Sequence, residues 1–385
     1  MSSILIVCGG GIVSGKEIMA LELGRGLAKR GQTVSYITSA WNDGAFPQRL
    51  RESALEHYTL PIGFISATLT MRCLAMTFEQ LWCLPKLLWG FGRLLRQERP
   101  RHVVHTNWHH LLLLLPLLRN RRDYFWLHEC VPHLPQYRWA FNLIAQRVEA
   151  IICVSHATAS ALRDIGICDA KIRVVQNGLL APAHCDASSP HNPDALRVGI
   201  VGQVNPWKGH DDLFEAIAKV AQAHPAVELH IFGKGNDAYR HSLERRAGRL
   251  SIATLTRWHD YVADRVDIYT AIDICVIPSR SQDPFPTTAL EAGFFGLPTI
   301  ATKRGGLPEI IEHEVNGLLV EPHNPAELAA AICRLIEEPE LRARLGANAR
   351  VRATTRFSQQ RFLDDFESLL ALSPTTTTTA AYVSL

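Results

Sequence analysis

Short apolar runs recur along the chain, each about the length of a strand and closed by glycine, proline or small polar residues. Residues 4–7, 33–38, 101–105, 124–127, 151–154 and 172–175 form such runs in the first half. Residues 197–201, 228–232, 251–256, 274–277, 298–301 and 317–320 form them in the second. Apolar runs of this length between turn signals read as buried strands. Segments with helical spacing lie between them: 17–29 ending at Gly31, 135–149, 157–164 behind Ser155, 325–337 and 358–370. Shorter helices are expected within 261–271, after Thr287 or Thr288 acting as cap, and over 308–311. Strand, helix, strand is the opening of a βαβ unit, and its repetition predicts an α/β protein. Residues 41–60 lack either period and read as irregular.

At 385 residues the chain exceeds the size at which one core keeps growing, so two domains are expected. The domains are placed at 1–180 and 196–355, with 181–195, rich in proline and serine, as linker. A last helical segment occupies 356–371, and the threonine-rich 372–385 reads as a disordered tail. Hydrophobic residues at 47% and charged residues at 20% describe a soluble globular protein. A net charge of +3, with Lys and Arg dispersed, argues against nucleic acid as partner. Nine cysteines without CxxC spacing fit reduced thiols and a cytoplasmic location. The first apolar run follows Met1 without a basic segment and reads as a strand, not a signal peptide. Residues 111–118 are too few to span a bilayer. Residues 69–96, rich in Leu, Trp and Phe with Lys86, Arg93 and Arg96, have two readings: an interfacial amphipathic helix on the inner face of the plasma membrane, or a helix packed on the sheet or lining an acceptor cleft.

Candidate chemistry concentrates in residues 279–314. Asp283 and Glu291 stand eight residues apart around a proline-containing loop, followed by Gly296-Leu297-Pro298 and by Gly305-Gly306 with Glu309. The segment follows the strand 274–277, where loops at the carboxyl ends of parallel strands bind ligands. Upstream, Gly202-Gln203 leads to Lys208-Gly209 at a helix start, where an ammonium and free N–H groups hold a diphosphate. Gly233-Lys234-Gly235 ends another strand. Near the beginning, Gly10 to Lys16 has P-loop spacing, but Glu17 stands where a magnesium-binding Ser or Thr is needed, which argues against an ATPase. His105, His109, His110, His128 and His133 form no closed metal-ligand set.

These motifs resemble the signature of glycosyltransferase family 4, the retaining enzymes of GT-B fold that use nucleotide sugars. The resemblance covers residues 4–370 and implies two Rossmann-like domains facing each other across a cleft. It implies that the first domain binds the acceptor and the second the donor, a nucleotide-diphosphate sugar of UDP or GDP type, with no cofactor and no metal required. Asp283 then lies near the donor sugar, and Glu291 accepts hydrogen bonds from the ribose hydroxyls. Lys208 neutralises the diphosphate. Gly11, Gly202, Gln203, Gly233, Lys234, Pro286, Thr287, Thr288, Gly305 and Gly306 border the donor. His128 matches the family's histidine near the reacting carbon, with Glu129 in place of the usual Asp. His128, Lys208 and Asp283 are thus the catalytic candidates, and Glu17, Trp108 and His109 the acceptor-side ones. Two positions depart from the pattern: Asp283 replaces a glutamate, and Gln203 replaces an arginine that offsets leaving-group charge. Arg280, Lys303 and Arg304 are candidates to replace that cation. The terminal helix is expected to return to the first domain.

The reading is a retaining glycosyltransferase, a hexosyltransferase by type, of polysaccharide, lipopolysaccharide or glycolipid synthesis, with a saccharide or lipid-linked acceptor. The alternatives are a weak or inactive binding subunit and a GT-B epimerase or phosphorylase. A Rossmann-like oxidoreductase, a further rival, would need an early GxGxxG that Gly9-Gly10-Gly11 does not supply.

Overall fold

The computed structural model describes residues 3–11, 13–65, 70–119, 122–182 and 196–372. All but the first residue of the expected tail and nearly all of the expected linker lie outside the described residues. The chain divides into two compact units, one of Met1–Gln176 with Gln359–Leu385, the other of Asn177–Ser358.

Unit 1 begins β1 (Ser3–Val7), α1 (Gly15–Lys29), β2 (Thr33–Ser39), α2 (Ala45–Glu52) and β3 (Glu56–Leu60). It continues α3 (Met71–Trp82), α4 (Leu84–Glu98), β4 (His102–His105), α5 (Trp108–Leu114) and β5 (Asp123–Leu127). Then come α6 (Pro135–Ala145), β6 (Ile151–Cys153), α7 (His156–Asp164) and β7 (Ile172–Val174). The strands form one seven-stranded sheet in the order β3-β2-β1-β4-β5-β6-β7, with each neighbouring pair parallel. The central strands are buried on both faces, which is why β1 and β5 read as nearly continuous apolar runs, while β4 buries His102 and His105 at its ends.

Unit 2 comprises β8 (Arg197–Val201), α8 (His210–Ala223), β9 (Glu228–Phe232), α9 (Asp237–Arg249), β10 (Thr256–Trp258), α10 (Arg265–Tyr269) and β11 (Ile274–Ile277). It continues α11 (Thr287–Phe294), β12 (Thr299–Thr302), α12 (Leu307–Ile310), β13 (Gly317–Val320), α13 (Pro325–Glu337) and α14 (Pro339–Arg356). Its six-stranded parallel sheet runs β10-β9-β8-β11-β12-β13. The order reverses between β8 and β11, and it is outside the carboxyl ends of the strands at such a switch point that open α/β sheets hold ligands in a crevice.

The last described helix, α15 (Gln359–Leu369), belongs to unit 1 and lies on α1. Phe362 and Phe366 pack on the fully buried Trp126, and Glu367 binds the Arg30 guanidinium.

Several expectations are corrected. Residues 41–60 contain α2 and the edge strand β3, whose partly exposed Glu-His-Tyr-Thr-Leu sequence carries no apolar run. The strand expected at 251–256 is a 3-10 turn followed by β10 at the sheet edge. The helix expected over 135–149 stops at Ala145. Neither Thr287 nor Thr288 caps α11; Pro286 holds that position and α11 starts at Thr287.

Candidate active site

In unit 2 the loops at the carboxyl ends of β8, β9, β11 and β12 are bound to one another. Val204 N–H donates to the Lys234 carbonyl at 3.0 Å, joining the loops after β8 and β9. Arg280 N–H donates to the Trp207 carbonyl at 2.8 Å, joining those after β8 and β11. Gly306 N–H donates to the Asp283 carbonyl at 2.8 Å, and Thr302 Oγ1 donates to the Ser279 carbonyl at 2.7 Å, joining those after β11 and β12. Two glycines permit this closeness. A Cβ on Gly209 would sit 1.8 Å from the Pro278 carbonyl oxygen, and one on Gly305 would sit 2.0 Å from that of Asp283; both have positive φ.

The outcome is an ion pair. Lys208 Nζ donates to Asp283 Oδ2 at 2.8 Å, Ser279 Oγ donates to the same oxygen at 3.2 Å, and the ammonium lies 4.2 Å from the Trp207 ring centre. Lys208 is mostly buried and Asp283 almost wholly so. Asp283 and Lys208 are 75 residues apart in sequence and meet here. The second carboxylate, Glu291 on α11, accepts from Tyr269 Oη at 2.7 Å. Tyr269 is fully buried and stacks on Phe295, which fixes the direction of that bond. The two carboxylates therefore differ in role: Asp283 is neutralised by a cation, and Glu291 is held by a neutral donor.

The remaining donor-side candidates fall around this pair. Gly202 and Gly233 abut, Gly202 N–H donating to the Phe232 carbonyl at 2.9 Å. Gln203 and Lys234 are exposed on these loops. Pro286, Thr287 and Thr288 form the amino end of α11, and the Thr288 hydroxyl oxygen is buried without a hydrogen-bond partner among the described residues. Arg280 is committed elsewhere: its guanidinium binds Asp212 and reaches Asp211 on α8. Lys303 pairs with Glu321 at 2.8 Å on the surface. Arg304 follows directly and precedes Gly305, with its Nε buried and unbonded among the described residues. Tyr269 escaped the sequence reading because it lies outside the motif-bearing segment, and Ser279, the first residue of that segment, was given no role; only the fold brings them to the carboxylates.

In unit 1 the carboxyl ends of β1, β4 and β5 hold the other candidates. Gly9 lies so close to His110 that a Cβ would meet its ring at 2.6 Å, and the Gly11 carbonyl accepts from Asp43 N–H at 3.0 Å. Glu17 is buried and turned back on its own helix start, accepting from Ser14 N–H at 3.0 Å and lying 3.4 Å from Lys16 Nζ. Burial opposes the Lys16 charge, but Glu17 and Glu129 outweigh it and the ammonium persists to higher pH than usual. Trp108 stacks on His109 with ring centres 3.7 Å apart and packs on Tyr137 and Phe141. Burial and then Lys16 pull the His109 pKa down to about 4 and that of His128 well below the ordinary value, so both imidazoles are neutral at pH 7. His128 lies against Trp126, with its Nε2 buried and unbonded among the described residues.

The other histidines are scattered: His105 pairs with buried Asp123 at 2.8 Å, and His133 bonds the Asp164 carbonyl. Among the described residues no cluster of His, Cys, Asp or Glu could hold a metal ion. Among the described residues no two cysteines form a disulfide.

Comparison with known proteins agrees with this geometry. Residues 13–179 match the model of Glycosyltransferase Family 4, and residues 185–352 match that of Glycosyl transferases group 1. A D-inositol 3-phosphate glycosyltransferase of Segniliparus rotundus is 34% identical over 177 residues, 45% of this chain and 39% of that protein. Its counterpart in Geodermatophilus obscurus is 36% identical over 181 residues, 44% of this chain and 39% of that protein. The match thus spans about two fifths of the length of these curated relatives. Among solved structures, Anabaena HepE in complex with UDP and glucose superposes with a TM-score of 0.79 at 22% identity, covering 97% of this chain and all of that one. Sucrose-phosphate synthase from Thermosynechococcus elongatus gives 0.80 at 21% identity, covering 96% of this chain and 98% of that one. The fold is that of the GT-B glycosyltransferases. With family models matching both halves and the paired Asp283 and Glu291 set at the switch point of its second sheet, the chain belongs to glycosyltransferase family 4.

Proposed function

We propose that this chain transfers a sugar from a nucleotide-diphosphate sugar to a hydroxyl acceptor with retention of configuration. The observation that carries the reading is the Lys208–Asp283 pair, a buried cation beside loop N–H groups at the crevice of unit 2. A diphosphate placed there meets the Lys208 ammonium and the free N–H groups at the start of α11. Lys208 then stabilises the leaving group without help from a divalent metal. Glu291, oriented by Tyr269, receives the ribose hydroxyls, and Asp283 receives the sugar. The acceptor hydroxyl attacks from the face the diphosphate leaves, its proton passing to a phosphate oxygen. Asp283 and Glu291 act as binding groups in this scheme, not as a hydrolase acid–base pair. His128 of unit 1 is neutral and offers a hydrogen bond without positive charge.

UDP is the first nucleotide to test, since HepE was solved with UDP-glucose. The acceptor class is a saccharide or lipid-linked saccharide, as in polysaccharide, lipopolysaccharide or glycolipid synthesis. A competing reading, binding without turnover, draws on one observation: Gln203 is neutral and Arg280 is tied to Asp211 and Asp212.

Calorimetry against UDP, GDP and ADP tests the donor site. One diphosphate should bind, and Lys208→Ala and Glu291→Ala should each lose it. Transfer from the matching sugar conjugate, with the product anomer read by NMR, tests retention. Binding without any turnover supports the competing reading; no nucleotide binding sinks both.

A further inference from the structure

Helix α3 carries its apolar stripe on the outside. Met71, Leu74, Ala75, Phe78, Leu81 and Trp82 recur at helical spacing and fall within roughly a third of its circumference. An amphipathic helix of a globular protein turns such a stripe to the core, but here the stripe faces solvent: Met71 is 84% exposed, Phe78 70% and Trp82 78%. Gln80 turns inward from another side of the helix, while Glu79 stays exposed. Gln80 is buried and donates to the Pro61 carbonyl at 3.1 Å, and Glu79 accepts from Trp41 Nε1 at 3.0 Å. These bonds fasten α3 to the loops after β2 and β3, so its orientation is specified.

The adjoining surface is basic. On α4, Lys86, Arg93 and Arg96 are exposed around Trp89, itself 63% exposed and covered by the Arg93 guanidinium at 5.5 Å. The acidic residues of α3 and α4 are both engaged, Glu79 by Trp41 and Glu98 by Tyr58. Aromatic and aliphatic side chains on one helix, with Trp and basic groups on the next, match the layering of an anionic bilayer, apolar beneath and negative at the headgroups. No helix among the described residues is long and apolar enough to cross a membrane, and α3 has only 12 residues. A helix of this kind lies in the interface.

We propose that unit 1 docks on an anionic lipid bilayer through the apolar stripe of α3, with Lys86, Arg93 and Arg96 of α4 at the headgroups. Trp41 links this surface to the glycine loop, because a Cβ on Gly11 would lie 3.6 Å from the Trp41 carbonyl oxygen. The glycine loop of unit 1 therefore lies beside the docking surface. The proposal rests on the surface of α3 and α4 and not on the donor reading.

Co-sedimentation of the full chain with phosphatidylcholine vesicles, with and without phosphatidylglycerol, tests it. The expected result is sedimentation with the phosphatidylglycerol vesicles alone, abolished by high salt. Phe78→Ser/Trp82→Ser should abolish it, and Lys86→Glu/Arg93→Glu should weaken it by roughly tenfold or more. These side chains are exposed, and circular dichroism melts should show both variants folded like the wild type. Absence of sedimentation with either vesicle overturns the proposal. So does equal binding to both vesicle types. A wild-type dimer in light scattering that Phe78→Ser/Trp82→Ser returns to monomer, without vesicle binding, also overturns it and assigns the stripe to a second copy of the chain. Vesicle binding needs no nucleotide, so failure of the donor experiment leaves this one readable.

Discussion

The two units share an architecture and differ in how they treat polarity at the carboxyl ends of their strands. In unit 2 the key charges are partnered, Lys208 by Asp283 and Glu291 by Tyr269, and the loops bearing them are bonded to one another. In unit 1 the same rim holds imidazoles buried without partners among the described residues, both nitrogens of His110 and Nε2 of His128, and an apolar helix face turned outward. A set of dipoles fixed before the ligand arrives suits one small charged molecule. Unbonded imidazoles beside an open apolar surface suit a ligand that completes the site itself. The fold is thus one scaffold with a specified half and an adaptable half.

The largest effect should come from breaking the partnered half. Lys208→Ala should weaken UDP binding by roughly a hundredfold, since it removes a cation and leaves Asp283 as an unpaired anion beside the diphosphate. Adding Asp283→Asn should then recover about tenfold, because the repelling charge is gone. Lys16→Met, the matching change in unit 1, should leave UDP affinity unchanged in calorimetry. Equal losses at Lys208 and Lys16 would erase the contrast.

Acid sharpens the contrast from the other side. The folded pKa of His109 is lowered to about 4, and those of His110 and His128 fall well below the ordinary value of 6.5, burial being the main cause. Below pH 6.5 the unfolded chain binds protons that these folded imidazoles refuse. Stability is therefore full above that pH and declines as pH drops toward about 4. Hydrogen exchange followed from about pH 7 to about pH 5 should show faster opening around β4 and β5, and His128→Asn should shallow the slope. His210 in unit 2 is also lowered to about 4, so opening that begins at α8 instead would count against this assignment.

The smallest effect is at the neutral partner. Tyr269→Phe removes one hydrogen bond to Glu291 and should lower stability by about 1 kcal/mol, with UDP affinity reduced a few-fold. Denaturant melts and calorimetry measure the two separately.

Much of the fold was legible because the central strands, buried on both faces, leave nearly continuous apolar runs that need no tertiary information to find. β3 was missed because an edge strand that is partly exposed along its whole length leaves no such run. The donor motifs were legible as residues but not as contacts: the approach of Lys208 to Asp283 depends on backbones meeting at Gly209 and Pro278. Arg280 shows the reverse failure, a cation correctly placed in the right loop and then drawn off by Asp212. For α3 the periodicity revealed a stripe but not its direction. That direction is decided by Gln80 and Glu79, whose partners come from other loops.

The return of α15 to unit 1 has a consequence for biosynthesis. Trp126, Phe362 and Phe366 close one aromatic cluster, yet the whole of unit 2 separates the first from the other two in the chain. As the chain leaves the ribosome, the first unit to be started is the last to be finished. Unit 2, contiguous in sequence, can complete its core while Trp126 still waits for its cover.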